Sequence, residues 1–165
     1  GNVFSQCGEL GREIEMIIRT EIENYRKYFK ESNEGLIRNW PEKYTLSGWI
    51  VSMAEGGKLA AHMHDSGWLT GSIYINVPPK SQPDSGNLVV SSEDVENDAA
   101  VSENRRSIDV ITGSLCLFPS SLLHYTRPFN ANPFNAKEKR VVLAFDIDKL
   151  IVNTDSRVFP FITIH

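Results

Sequence analysis

Residues 58–77 read KLAAHMHDSGWLTGSIYINV, and how this stretch is taken decides the fold. Two runs rich in apolar and β-branched residues, KLAAHMH and WLTGSIYINV, flank a short DSG break, which is the pattern of two strands rather than one helix. Two of the chain's four histidines, His62 and His64, stand two residues apart in the first run. On a strand, side chains at i and i+2 share a face. That reading projects both imidazoles to one side and Met63 to the other.

The same alternation of strand and turn extends in both directions. LSGWIVSM (46–53) precedes the stretch, with EGG (55–57) as the turn between. After the loop PPKSQPDSG (78–86), the strand-like runs are NLVVSS (87–92), SIDVI (107–111), GSLCLFP (113–119), LLHYTRP (122–128) and RVVLAFDIDKL (140–150), with FPFITI (159–164) as an edge strand. EDVENDAAVSENRR (93–106) and FNANPFNAKEK (129–139) read as loops; the first, from Glu93 to Arg106, is long enough to gate a site. Ahead of the strands, Leu10, Ile14, Ile17, Ile18, Tyr25, Tyr28 and Phe29 recur at three- and four-residue steps. They make one apolar stripe of a helix over residues 9–34, with Gly35 as its stop. One helix followed by about eight closely spaced strands, without βαβ alternation, points to a mainly β fold: a jelly roll or barrel backed by the helix. The expected organisation is a single domain over residues 1–165, with the helix at 9–34, the jelly-roll core at 46–150 and a C-terminal extension at 151–165.

Composition bounds the function classes. The chain is 41% hydrophobic and 23% charged, as ordinary globular proteins are, with a formal net charge of −4. That charge argues against a nucleic-acid partner, which usually meets a basic face. No run of about 18 apolar residues suggests a membrane span, and GNVFSQCGEL at the start lacks the pattern of a secretion signal. Two cysteines, Cys7 and Cys116, form no CxxC and no disulfide framework, so a reduced, cytoplasmic setting is expected. Cys116 lies in an apolar run and reads as core. A homo-oligomer stays open.

Two imidazoles on one strand face can share a divalent metal if a third ligand arrives from elsewhere. His124, in LFPSSLLHYTRP, is the candidate. An HxH pair alone is a weak signal, because such histidines are more often structural. The segments around it carry more.

HMHDSGWLTGSIYINVP, SGNLVV, GSLCLFPSSLLHYTRP and RVVLAFDI, in that order and spacing, resemble the oxygenases that use ferrous iron and 2-oxoglutarate on a double-stranded β-helix, in particular a short bacterial branch. The likeness runs from about Trp49 to Asp146. It implies a jelly-roll, cupin-like fold, Fe(II) and 2-oxoglutarate as cofactor and cosubstrate, O2 as oxidant, and hydroxylation of a small-molecule or protein side-chain substrate with release of succinate and CO2. By the same resemblance His62 and His124 match the two histidine ligands, and Arg140 matches the residue that pairs with the far carboxylate of 2-oxoglutarate. A bidentate guanidinium suits that task. Tyr74 matches a tyrosine that helps hold the same carboxylate. Where the family places an Asp or Glu ligand, this chain has His64. Three readings stand: His64 ligates directly, giving a three-histidine site, which leads; His64 lies beside the metal while water or substrate fills the gap; or Asp65 swings in.

Other residues carry quieter expectations. Asn76 either hydrogen-bonds the cosubstrate or caps a strand. Arg127 competes with Arg140. Asp146 and Asp148 read as an outward-facing pair, Trp49, Trp68 and Phe118 as core, and His165 as solvated. Two rivals remain. A cupin is suggested by Gly57-x4-HMH and by Gly113-x5-Pro119, but Ser121 stands where a glycine is usual, and no glutamate follows between Asp65 and Asp84. A non-catalytic jelly-roll binding module would use the histidines structurally.

Overall fold

The computed structural model describes residues 1–93 and 102–150. The segment FPFITI, His165, the 151–165 extension and the middle of the 93–106 loop lie outside the described residues. Three helices open the chain: α1 (Val3–Gln6), α2 (Gly8–Tyr28) and α3 (Gly35–Arg38). Eight strands follow: β1 (Tyr44–Met53), β2 (Leu59–His62), β3 (Leu69–Asn76), β4 (Leu88–Ser91), β5 (Arg105–Ile108), β6 (Leu115–Pro119), β7 (Leu123–Thr126) and β8 (Arg140–Lys149). They form two antiparallel four-stranded sheets in the orders β1-β8-β3-β6 and β2-β7-β4-β5, the jelly roll expected of the strand spacing.

The first sheet is covered on both faces, and strand parity sorts its residues. Leu69, Leu143, Phe145 and Ile147 point outward under the helices and pack with Phe4, Ile18 and Ile22. Full burial of an aliphatic or aromatic side chain contributes about 1.5–3 kcal/mol, so this layer holds the helix to the sheet. The opposite parity, with Tyr74, Phe118 and Val142, meets Leu88 and Val90 of the second sheet across the sandwich. The site lies at the open end of that inner layer.

The helical region differs from the sequence reading in three ways. A separate turn of helix, α1, stands ahead of the expected 9–34 segment, and α2 starts after Cys7 at Gly8 with φ +53, a left-handed conformation that favours glycine. The covered face differs from the seven-residue stripe: Ile18 and Ile22, the latter outside the stripe, are fully buried and Ile14 and Tyr25 pack beside them, whereas Leu10, Ile17 and Tyr28 face solvent. Gly35 starts α3 instead of stopping α2, which ends at Tyr28 with Arg26 and Lys27 in its last turn. Cations there complement the helix dipole. In the strands, the principal shift is β5, which starts at Arg105 and so takes in two arginines read as loop.

Candidate metal centre

β2 and β7 pair so that His62 lies directly opposite His124. Opposed residues on an antiparallel pair bring their Cβ atoms to about 4.5–5.5 Å, which is how histidines far apart in sequence meet. Their ring centroids are 4.3 Å apart. His64 arrives by another route. β2 ends at His62, so the same-face argument for i and i+2 does not apply; instead the chain turns away from the strand and the His64 backbone N–H donates to the Ser120 carbonyl at 3.0 Å. The ring still converges, 5.2 Å from His62 and 5.1 Å from His124 between centroids. One ring nitrogen from each of the three lies within 4.8 Å of the others, and Asp65 is not part of the cluster.

The outer hydrogen bonds decide which nitrogens are free. His62 Nδ1 sits 2.8 Å from the Ala60 carbonyl and His124 Nδ1 3.0 Å from the Leu122 carbonyl. A carbonyl can only accept, so both Nδ1 atoms carry the proton and both Nε2 atoms keep a lone pair. His64 Nδ1 lies 2.7 and 2.8 Å from the two carboxylate oxygens of Asp146, with the same consequence. Burial pushes the His124 pKa down to about 4, against a smaller opposing effect of its bond to Leu122, so its ring is neutral at physiological pH. Three imidazoles with protonated Nδ1 and free Nε2 could hold a divalent transition metal.

Asp146 therefore corrects the outward-pair reading. It faces inward, because β8 places Arg140, Val142, Ala144 and Asp146 on one face. Having given Arg140 a site role, parity alone could have found it. Asp148 shares that face, and burial together with Asp146 pushes its carboxyl upward. Trp49 likewise departs from the core expectation: it is 38% exposed and lines the cavity. Phe118 is buried in the inner layer and Trp68 packs against the helix-covered one.

A cavity of about 160 Å³ runs inward from the three histidines, with Ser72, Tyr74 and Arg140 among its lining. Arg140 is 2% exposed, yet no carboxylate pairs with it among the described residues. Its guanidinium donates to the Gly86 carbonyl at 3.2 Å and to the Met53 sulfur at 3.5 Å, and lies 5.1 Å from the Tyr74 ring centroid, while Nε has no partner. Burial pushes the Tyr74 phenol up to about 12, which keeps it a donor. Arg127 is not in the cavity; it pairs with Asp84 at 3.2 Å. Asn76 is not brought there either: its amide donates to the Lys139 carbonyl at 2.9 Å.

Residues 47–146 match the family model described as "Putative 2OG-Fe(II) oxygenase". The chain belongs to this family. Its model is described in terms of Fe(II) and 2-oxoglutarate, and it spans β1 to Asp146 of β8, the jelly-roll strands. No curated protein matches the sequence. Among solved structures, a prolyl-4-hydroxylase from Pseudomonas putida aligns at 14% identity and a TM-score of 0.48, covering 67% of this chain and 55% of that one. A 2OG-Fe(II) family oxidoreductase from Burkholderia pseudomallei gives 14%, 0.48, 68% and 48%. HygX from Streptomyces hygroscopicus with iron bound gives 12%, 0.48, 68% and 61%. The chain thus spans about half to three-fifths of the length of these oxygenases. No helix among the described residues is long and apolar enough to cross a membrane.

Proposed function

We propose that this chain is an Fe(II)- and 2-oxoglutarate-dependent dioxygenase in which His62, His64 and His124 hold the metal and Arg140, with Tyr74, holds the cosubstrate. The observation that carries the reading is a pair of unmet needs at the two ends of one cavity. At one end three free Nε2 lone pairs converge; at the other a buried guanidinium has no anion among the described residues. A five-carbon dicarboxylate with a 2-oxo group answers both, one end toward the metal and the far carboxylate on Arg140. Fe(II) supplies the redox chemistry that couples O2 and decarboxylation of 2-oxoglutarate to succinate and CO2 with hydroxylation of a C–H bond. The protein's residues do the rest. Arg140 neutralises the far carboxylate, the Tyr74 hydroxyl donates to it, and Val142 and Leu88 line the cavity with buried apolar surface, while Phe118 packs 4.9 Å from the His124 ring at the metal end.

Size limits the prime substrate. Pockets that enclose a drug-sized ligand run to about 300–1,000 Å³. A cavity of about 160 Å³ suits the cosubstrate and little more. The prime substrate then presents one group at the mouth, where Trp49 and Leu59 both line the cavity and reach solvent. A side chain of a protein or one end of a small molecule fits that geometry. The free thiols Cys7 and Cys116 support a reducing, cytoplasmic setting.

The test is anaerobic titration of Fe(II) and 2-oxoglutarate, watched for the weak visible charge-transfer band of the chelate. Its appearance, and its loss in His62→Ala, supports the reading. Iron binding without the band on adding 2-oxoglutarate favours a cupin-type metal protein; no iron binding makes the histidines structural.

A further inference from the structure

We infer that Asp146 is a positioning residue for the metal centre, supplying from behind His64 the negative charge that no direct ligand provides. This rests on the three-histidine reading above. The carboxylate is on the Nδ1 side of the ring, opposite the free Nε2, so it acts through His64 and not as a ligand. Its two oxygens lie 2.7 and 2.8 Å from Nδ1. Thr70 Oγ1 donates to one of them at 2.8 Å and is itself 2.9 Å from the hydroxyl of the fully buried Ser120. The Ser120 carbonyl in turn accepts the His64 backbone N–H. His64 is thus held at backbone and ring by a chain of groups from β3, β8 and the turn after β6. This is needed because His64, alone of the three histidines, stands outside a strand.

Two effects follow. The ionised carboxylate fixes the proton on Nδ1 and leaves Nε2 as the donor. It also raises the electron density of the imidazole, so a neutral ligand behaves as a partly anionic one. Position 64 is where the resemblance leads one to expect a carboxylate ligand. Here the charge is retained but moved one residue shell outward, from β2's end to β8. The His62 and His124 rings are oriented by neutral carbonyls, so His64 is the one ligand whose donor strength is set by a charge.

The experiment uses the full chain and Co(II) as the probe, with affinities by calorimetry for the wild type, Asp146→Asn and Thr70→Val. Ring tautomers in the metal-free proteins are read by long-range proton–nitrogen correlation. Asp146→Asn keeps the shape and one accepting oxygen for His64, while removing the charge and turning the other oxygen into a donating amide. Co(II) affinity should fall about 10–100-fold, the usual cost of losing such an outer partner. The apo His64 ring should keep its Nδ1-protonated form, because the amide oxygen still accepts from it, so the fall in affinity reports the lost charge. Thr70→Val should lower affinity in the same direction but less, which keeps the test open if Asp146→Asn folds poorly. In a His64→Ala background Asp146→Asn should add no further loss, since coupled residues are not additive. A folded Asp146→Asn that binds Co(II) within about twofold of wild type overturns the inference. A wild-type protein that binds no Co(II) overturns the three-histidine reading instead.

Discussion

Replacing Arg140 by methionine should make the metal-free protein more stable while removing most or all of its response to 2-oxoglutarate. Methionine has a similar reach and fills irregular space. The wild-type guanidinium is 2% exposed, without a carboxylate among the described residues, and its Nε has no partner. Exchanging buried ionic groups for apolar ones ranges from neutral to about 1–4 kcal/mol stabilising. The bonds to Gly86 and Met53 and the Tyr74 ring already offset part of the cost, so about 1–2 kcal/mol is expected, or about 2–8 °C in Tm for a chain of this size. In the wild type, 2-oxoglutarate at 100 times its Kd adds about 2.7 kcal/mol. Losing one partner of a buried charge pair costs about 2–5 kcal/mol, which raises Kd about 30-fold to several thousand-fold. The ligand-induced stabilisation at that concentration should then fall from about 2.7 kcal/mol to about 0.9 kcal/mol or less. Thermal unfolding of both proteins with Co(II), with and without 2-oxoglutarate, reads both effects. A variant that keeps its 2-oxoglutarate shift, or an apo form destabilised by the 2–5 kcal/mol typical of truncating a core residue, refutes the argument.

Arg127→Ala should leave 2-oxoglutarate affinity unchanged and cost less than about 1 kcal/mol, because its partner Asp84 is exposed; equilibrium dialysis with labelled 2-oxoglutarate checks the first and denaturant unfolding the second. His62→Ala and His124→Ala should each lose iron on purification; metal analysis of folded variants finding wild-type iron would remove those residues from the centre. Gly71→Ala should destabilise by about 1–3 kcal/mol without touching the histidines, because a Cβ there would stand 2.3 Å from the Phe145 ring and 2.7 Å from the Cys116 carbonyl. A neutral result in urea would mean that β3 and β8 can separate more freely than their packing suggests.

Much of the architecture could be read in advance, because strands and turns are local. Period-two alternation, EGG, PPKSQPDSG and the β-branched runs placed most strands within a few residues. The helix showed its existence but not its covered face. Which side of α2 is buried depends on where Phe145 and Ile147 arrive, and that information sits over a hundred residues away. Asn76 and Arg127 were plausible by chemistry and proximity in sequence, yet a bulge after Tyr74 and the Asp84 pairing direct them elsewhere.

By itself the sequence determined the β-rich class, the three histidines, the arginine that starts the last strand, and the absence of a carboxylate at position 64. Residue type and local period set all of these. Only the tertiary structure decided that His62 stands opposite His124, that His64 reaches them from beyond its strand, and that the Asp146 carboxylate meets His64 Nδ1. Register between strands distant in sequence is settled by which hydrophobic faces close against each other, and no local pattern encodes that choice.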